Sequence, residues 1–113
     1  MDESQRQKLI AIINNAHSAA QTLSNQVQTT NDPRQIAACQ DAMITLLNTA
    51  RAANLAIQAA NDGLFQQETA ALQASTKELN QEADRLKAAL TAGGVIQQVV
   101  SSILSIIALA ATL

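Results

Sequence analysis

Residues 95–113 read VIQQVVSSILSIIALAATL, and this stretch decides how the chain folds. It closes a longer segment, 88–113, that contains no charged side chain. From Val95 onward the apolar residues recur with the 3.6-residue period of an α-helix, which predicts an amphipathic helix over residues 95–112. The apolar half of such a helix must be covered by protein or by lipid, and that choice bears on both fold and function.

The apolar half of this C-terminal helix is the predicted interaction face of the protein. The opposite half carries glutamine, serine and threonine, which are polar but uncharged. Packing against the rest of the chain, or against a second copy in a homo-oligomer, is the usual way in which an amphipathic helix is covered. The predicted face consists of Val95, Ile96, Val99, Val100, Ile103, Leu104, Ile106 and Ile107.

A membrane is the alternative partner for the same segment. Nineteen uncharged residues are long enough to reach across a bilayer as a helix. Arg85 and Lys87 precede the segment, as expected for a flank on the cytosolic side. Long helices rich in glutamine and alanine, joined to one glycine-led apolar segment, resemble the layout of α-helical pore-forming toxins of the cytolysin A type. The resemblance implies a soluble bundle that exposes an apolar segment at a membrane, although this chain is much shorter and carries that segment at its end.

The composition favours a single helical domain over residues 1–113. The length is that of one domain, and hydrophobic residues make up 48% of the chain. Phe65 is its only aromatic residue, so the core must be aliphatic and rich in alanine. Charged residues amount to 14%, against about 25% in typical domains. The net charge of -2 and the scattered lysines and arginines give no reason to expect a nucleic-acid partner.

Three longer amphipathic helices are predicted before the C-terminal one. They span residues 4–30, 33–61 and 64–91. Asp32 and Pro33 mark the start of the second helix, because aspartate caps a helix and proline suits its first position. Gly63 is predicted to close the turn before the third helix in the left-handed conformation. The apolar spacing continues through Gly63, however, which leaves one continuous helix as an alternative.

Matched lengths and short turns predict an antiparallel up-down helical bundle of three long helices plus a shorter C-terminal apolar helix. Each long helix has a coiled-coil-like seam of residues spaced by three and four. The seam of the second helix is widened by Ile44, Leu47 and Leu55, which predicts neighbours on both sides of that helix. The three seams are Leu9, Ile13, Ala16, Ala20, Leu23 and Val27, then Ile36, Cys39, Met43, Leu46, Ala50, Ala53, Ile57 and Ala60, then Phe65, Thr69, Leu72, Thr76, Leu79, Ala83, Leu86 and Leu90.

No arrangement of residues points to catalysis, so we predict a protein that is not an enzyme and binds no cofactor, metal or small-molecule substrate. His17 is the only histidine, and its neighbours on the predicted helix include no charged ligand. Cys39 lies on the second seam, where a small core residue is expected. Glu78 and Glu82 stand one turn apart, but no apolar pocket is indicated that would raise the pKa of either, which favours a solvated face.

The expected location is the cytoplasm by default, with membrane association or export without a cleaved signal left open. The apolar run at residues 9–13 is too short for a signal peptide. A single cysteine cannot form an intramolecular disulfide, so nothing marks an oxidising compartment. The predicted function is that of a non-enzymatic helical interaction or structural module that self-associates through helix faces, with a second copy or another helical protein as its partner.

Overall fold

The computed structural model describes residues 1–90 and 93–113, and the described residues form four α-helices. These are α1 (Glu3–Val27), α2 (Pro33–Ile57), α3 (Asp62–Ala89) and α4 (Gly93–Ala111). The helices form a closed ring, because α1 and α3 each pack against both α2 and α4. The Cα atoms extend over 47 × 20 × 19 Å. The predicted all-α bundle of three long helices and one shorter C-terminal helix is confirmed.

Side-chain caps fix the starts of the first two helices. Asp2 and Gln5 form a capping box, in which each side chain accepts a hydrogen bond from the other residue's backbone N–H, at 2.8 and 3.0 Å. Asp32 caps α2 by accepting from the backbone N–H of Arg34 at 2.9 Å. Pro33 occupies the first helical position, where its missing N–H leaves no hydrogen bond unmade.

The reversal between α2 and α3 lies earlier than the sequence predicts. α2 ends at Ile57 rather than at residue 61, and residues 58–61 separate it from α3, so the chain does not form one continuous helix here. Asn61 caps α3 by accepting from the backbone N–H of Leu64 at 2.9 Å. Gly63 therefore lies in the first turn of α3 and is not a left-handed helix end. Asparagine is a strong N-cap, and its use as the cap places the glycine inside the next helix.

The remaining helix ends differ from the predicted ones by a few residues. α1 ends at Val27 rather than at residue 30, and α4 begins at Gly93 rather than at residue 95. α3 ends at Ala89, and residue 91, where the sequence pattern places its end, lies outside the described residues.

The core is aliphatic along the whole bundle. Fully buried leucines and isoleucines come from all four helices, and α2 contributes mainly alanine and threonine. Small side chains on α2 allow it to approach α1 and α3 closely. The largest fully buried side chains are Leu9, Ile12, Leu23, Leu46, Leu72, Leu79, Leu86, Ile103 and Ile106.

Candidate functional site: the outward helix faces

Most of the predicted interaction face of α4 lies inside the protein's own core. Its buried members are Ile96, Val99, Val100, Ile103 and Ile106, which are at most 8% exposed, and Ile107 is partly buried against the core. Val95 and Leu104 point outward, at 40% and 50% exposure. α4 packs against α1 and α3, so these two helices cover the face that the sequence offers to a partner or a membrane.

Two hydrogen bonds from other helices reach the C-terminal end of α4. Lys8 Nζ donates to the carbonyl of Thr112 at 3.4 Å, and Gln73 Nε2 donates to the carbonyl of Ala110 at 3.2 Å. The rest of its attachment comes from aliphatic packing. Within residues 1–90 and 93–113, no helix is both long enough and apolar enough to qualify as a membrane span.

The outward face of α2 exposes three large aliphatic side chains. Ile44 is 59% exposed, Leu47 is 48% exposed and Leu55 is 40% exposed. We call these three residues the α2 stripe. The predicted neighbours on both sides of α2 are present, but these three side chains remain exposed. α2 has two neighbours, α1 and α3, and both contact the opposite side of the helix, where Ala42 and Ala53 are fully buried.

The surroundings of the α2 stripe are mostly uncharged. Arg51 lies on the same face, one turn after Leu47, and is exposed. Towards α1, a shallow groove is lined by Ile13, His17 and Leu47 together with Ala50, Arg51 and Asn54. His17 is exposed at the rim of this groove, on the seam-flanking position that the sequence suggests. The stripe therefore consists of an aliphatic pair, Ile44 and Leu47, and of Leu55, which Arg51 separates from that pair.

A charged cluster joins α2 to α3 on the other side of the stripe. One guanidinium nitrogen of Arg85 donates to Asp41 at 2.9 Å and to Glu82 at 3.4 Å. Glu82 is only 8% exposed, whereas Asp41 and Arg85 are about half exposed. Burial raises the pKa of the Glu82 carboxyl; the charge of Arg85 lowers it, and the charges of Asp41 and Glu78 raise it further.

The sequence-based assignment of Glu82 to a solvated face is therefore wrong, although Glu78 is exposed as predicted. The position of Glu82 relative to the leucines of α3 indicates its burial. Glu82 follows Leu79 by three residues and precedes Leu86 by four, which places it beside the seam of α3. A carboxylate at such a position faces the neighbouring helix unless its side chain extends outward.

The remaining candidate residues form no catalytic constellation among the described residues. Cys39 is fully buried, and burial raises the pKa of its thiol. In the part of the chain that the structure describes, no three His, Cys, Asp or Glu side chains come together as metal ligands would. A groove of about 620 Å³ runs between α1 and α4; its lining includes hydroxyl and amide side chains and no charged residue.

Comparisons of the chain with protein families, with curated proteins and with solved structures give no match.

Proposed function

We propose that the protein is a non-enzymatic helical interaction module that self-associates through a helix face, and that this face is the α2 stripe. The observation that carries the proposal is the exposure of the three large aliphatic side chains of the α2 stripe, whereas the outward half of α4 exposes only Val95 and Leu104 among its large aliphatic residues. Ile44 and Leu47 are neighbours one turn apart, and clustered exposed aliphatic side chains commonly mark an interaction surface.

The contrast with α1 supports this choice of face. The exposed positions of α1 carry asparagine, histidine, serine and glutamine, which are soluble without a partner. They include Asn14, His17, Ser18, Gln21 and Asn25. On α2, the exposed positions carry polar residues such as Gln40, Asn48 and Asn54 together with Ile44, Leu47 and Leu55. Removing such aliphatic side chains from water is favourable, so their burial against a second molecule would stabilise a complex.

The strength of association follows from the exposed fractions. Complete burial of an isoleucine or leucine stabilises by about 1.5–3 kcal/mol, so burying the exposed half of each residue contributes about 1 kcal/mol. Six such side chains across two copies give about 6 kcal/mol, against a loss of freedom on association that costs about 4–15 kcal/mol. We therefore expect a weak, concentration-dependent complex.

Sedimentation equilibrium of the full chain across a concentration series tests the proposal. We expect the apparent mass to rise from the chain mass of 11.9 kDa towards twice that value. Ile44→Asp should hold it at the chain mass, because a carboxylate in an aliphatic interface remains unpaired. Asn14→Asp introduces the same charge at an exposed position of α1 and should leave association unchanged. A chain that stays monomeric throughout, or an Ile44→Asp variant that associates like the wild type, would contradict the proposal.

Membrane interaction through α4 is the second candidate. It is favoured by the absence of charge on both halves of α4 and by the aliphatic nature of its packing. Co-sedimentation of the full chain with liposomes tests it. Ser101→Glu places a charge on the exposed half of α4, so it should weaken lipid binding without disturbing the closed bundle. Ile44→Asp serves as the matched control, since it lies on the opposite helix. Lipid binding that is equal in both variants and the wild type would exclude α4 as the membrane element.

A further inference from the structure

We infer that the α2 stripe pairs with the α2 stripe of a second copy in the antiparallel direction, so that Ile44 of each copy lies opposite Leu47 of the other. This inference rests on the proposed function, because it requires that the α2 stripe is the contact face. It adds the identity of the partner and the orientation of the two helices.

The position of the stripe along α2 is the first argument. α2 runs from Pro33 to Ile57, so its midpoint is Thr45, and Ile44 and Leu47 both lie within two residues of it. An antiparallel pair centred between residues 45 and 46 overlaps the two helices over almost their full length. The two exposed aliphatic side chains nearest the centre then meet each other, and the polar ends of the helices form the rim. This arrangement of an apolar centre and a polar rim is typical of stable protein interfaces.

The charges on the outward face of α2 provide the second argument. A parallel pair would bring each of Arg34, Asp41 and Arg51 to the level of its own copy, which places like charges beside each other at three points. In the antiparallel pair, Arg51 lies opposite Gln40 of the second copy. The two Arg51 side chains are then separated by 11 residues, or about 16 Å along the helix axis. This exceeds the distance of about 8 Å over which salt screens exposed charges.

The third argument is the direction of the helix dipoles. Two parallel helices place their positive ends together and their negative ends together, whereas antiparallel helices pair opposite ends. The antiparallel register also brings Leu55 within one residue of Ala37 of the second copy. The third member of the stripe thus meets a small apolar side chain, which is exposed on the same face of α2.

The available area is consistent with a dimer of this kind. α2 has 25 residues and is therefore about 37 Å long. With the width of about 10–12 Å of a single helix, its outward side presents roughly 400 Å² per copy, about half the 800 Å² per partner of a standard interface, as expected of a weak complex. The alternative of packing the α2 stripe against α4 of the next copy offers less. The outward half of α4 places Leu104 among serines and alanine, and such a head-to-tail contact would continue into an open chain.

Disulfide cross-linking of two variants, each with one introduced cysteine in addition to the buried Cys39, tests the orientation. Gln40→Cys and Arg51→Cys are prepared separately in the full chain, oxidised alone and as an equal mixture, and separated on a non-reducing gel. Both positions are exposed, and a disulfide requires Cα atoms within about 7 Å. The antiparallel pair predicts a band at twice the chain mass in the mixture, and none in either variant alone.

Three controls show that a cross-linked band comes from the introduced cysteines in a folded dimer. Cys39 is fully buried, so the wild type should give no cross-linked band under the same oxidation; a repeat in a Cys39→Ala background checks this. Arg51→Ser should retain the dimer mass, which shows that loss of the arginine does not prevent association. Circular dichroism of each variant confirms that the bundle is folded.

The outcomes separate the inference from the proposed function. Cross-linking of Gln40→Cys with itself would show a parallel pair and overturn the inference, while the proposed function stands. A dimer that Ile44→Asp abolishes, but in which the mixture fails to cross-link, would overturn the register in the same way. A wild-type chain that is monomeric by sedimentation would overturn both.

Discussion

Neighbouring residues of α4 provide a direct test of whether this helix belongs to the core. Ile103 is fully buried, and Leu104 is 50% exposed. Both are large aliphatic residues in the middle of the same helix, and both can be truncated to alanine. Because alanine has the highest helix propensity, neither truncation weakens α4 itself. Any large difference between the two variants therefore reports packing against α1 and α3.

The size of the expected difference follows from the burial of each residue. Ile103→Ala removes three buried carbons, at about 0.8 kcal/mol each, or about 2.4 kcal/mol of transfer free energy. The cavity left behind, about 80 Å³ if nothing relaxes, adds up to about 2 kcal/mol at 24 cal/mol per Å³. The free energy of unfolding should therefore fall by about 2.5–4.5 kcal/mol. Leu104→Ala removes carbons that are half in water already, and its loss should stay at or below about 1 kcal/mol.

Urea unfolding of both variants, followed by circular dichroism at 222 nm, measures this difference. A chain of 113 residues loses about 3–6 °C of melting temperature per kcal/mol, so thermal unfolding should show a drop of at least about 8 °C for Ile103→Ala. Equal, small effects in both variants would mean that α4 is not packed in the bundle in solution, and the reasoning about the closed ring would fail.

Two further predictions concern polar groups in the core. Burial raises the pKa of Glu82 above its value in the unfolded chain, so ionisation of this carboxyl opposes folding. The resulting loss of folding free energy grows as pH rises from the ordinary glutamate pKa to the raised one, and it is constant at higher pH. Glu82→Gln should therefore gain stability relative to the wild type between about pH 4 and pH 7, measured by urea unfolding at each pH; a constant difference would contradict it. Thr69 Oγ1 is buried without a hydrogen-bond partner, so Thr69→Val should stabilise by about 1 kcal/mol. Thr49→Val should destabilise by about 1–2 kcal/mol, because the Thr49 hydroxyl hydrogen-bonds to Ser75 at 2.6 Å and to the Thr45 carbonyl at 2.8 Å. Equal changes in the free energy of unfolding for Thr69→Val and Thr49→Val would refute this use of the hydrogen-bond partners.

The fold was accessible from the sequence because three local signals agree. The caps at Asp2 and Asp32, the spacing of the aliphatic residues and the matched helix lengths all specify long antiparallel helices. These signals act within one helix or between neighbours in sequence. They fix where helices lie and which side of each is apolar, which suffices for the ring of four.

The sequence does not show which neighbour covers each helix face. The aliphatic pattern of α4 is identical whether α1 and α3 cover it or lipid does, so the sequence left that choice open. On α2, the wide aliphatic face correctly predicts two neighbouring helices, but it does not show that Ala42 and Ala53 are buried while Ile44 is exposed. Hydrophobicity ranks isoleucine above alanine for burial, but helix spacing in this bundle favours the smaller residue. The burial of Glu82 depends on the neighbouring position of α2 and Arg85, which no local pattern records.

Membrane entry of α4 and association through the α2 stripe differ in the free energy that the closed ring requires for each. Releasing α4 would expose its five large buried aliphatic side chains, each worth about 1.5–3 kcal/mol, or roughly 10 kcal/mol in all. This is comparable to the total stability of a domain, so α4 can enter a membrane only if lipid replaces those contacts. Association through the α2 stripe requires no such release, because the stripe is exposed in the closed bundle.

A variant that stabilises the closed bundle therefore distinguishes the two hypotheses. Thr69→Val, at about 1 kcal/mol, should lower liposome binding about fivefold if release of α4 opens the core that buries Thr69, since the lipid-bound state then competes with a more stable closed state. The same variant should leave the sedimentation mass unchanged at every concentration, because Thr69 lies on α3, away from the α2 stripe. A stabilised bundle that binds lipid as well as the wild type would show that membrane contact, if present, occurs without release of α4. Only the exposed residues of the closed bundle would then remain as its source.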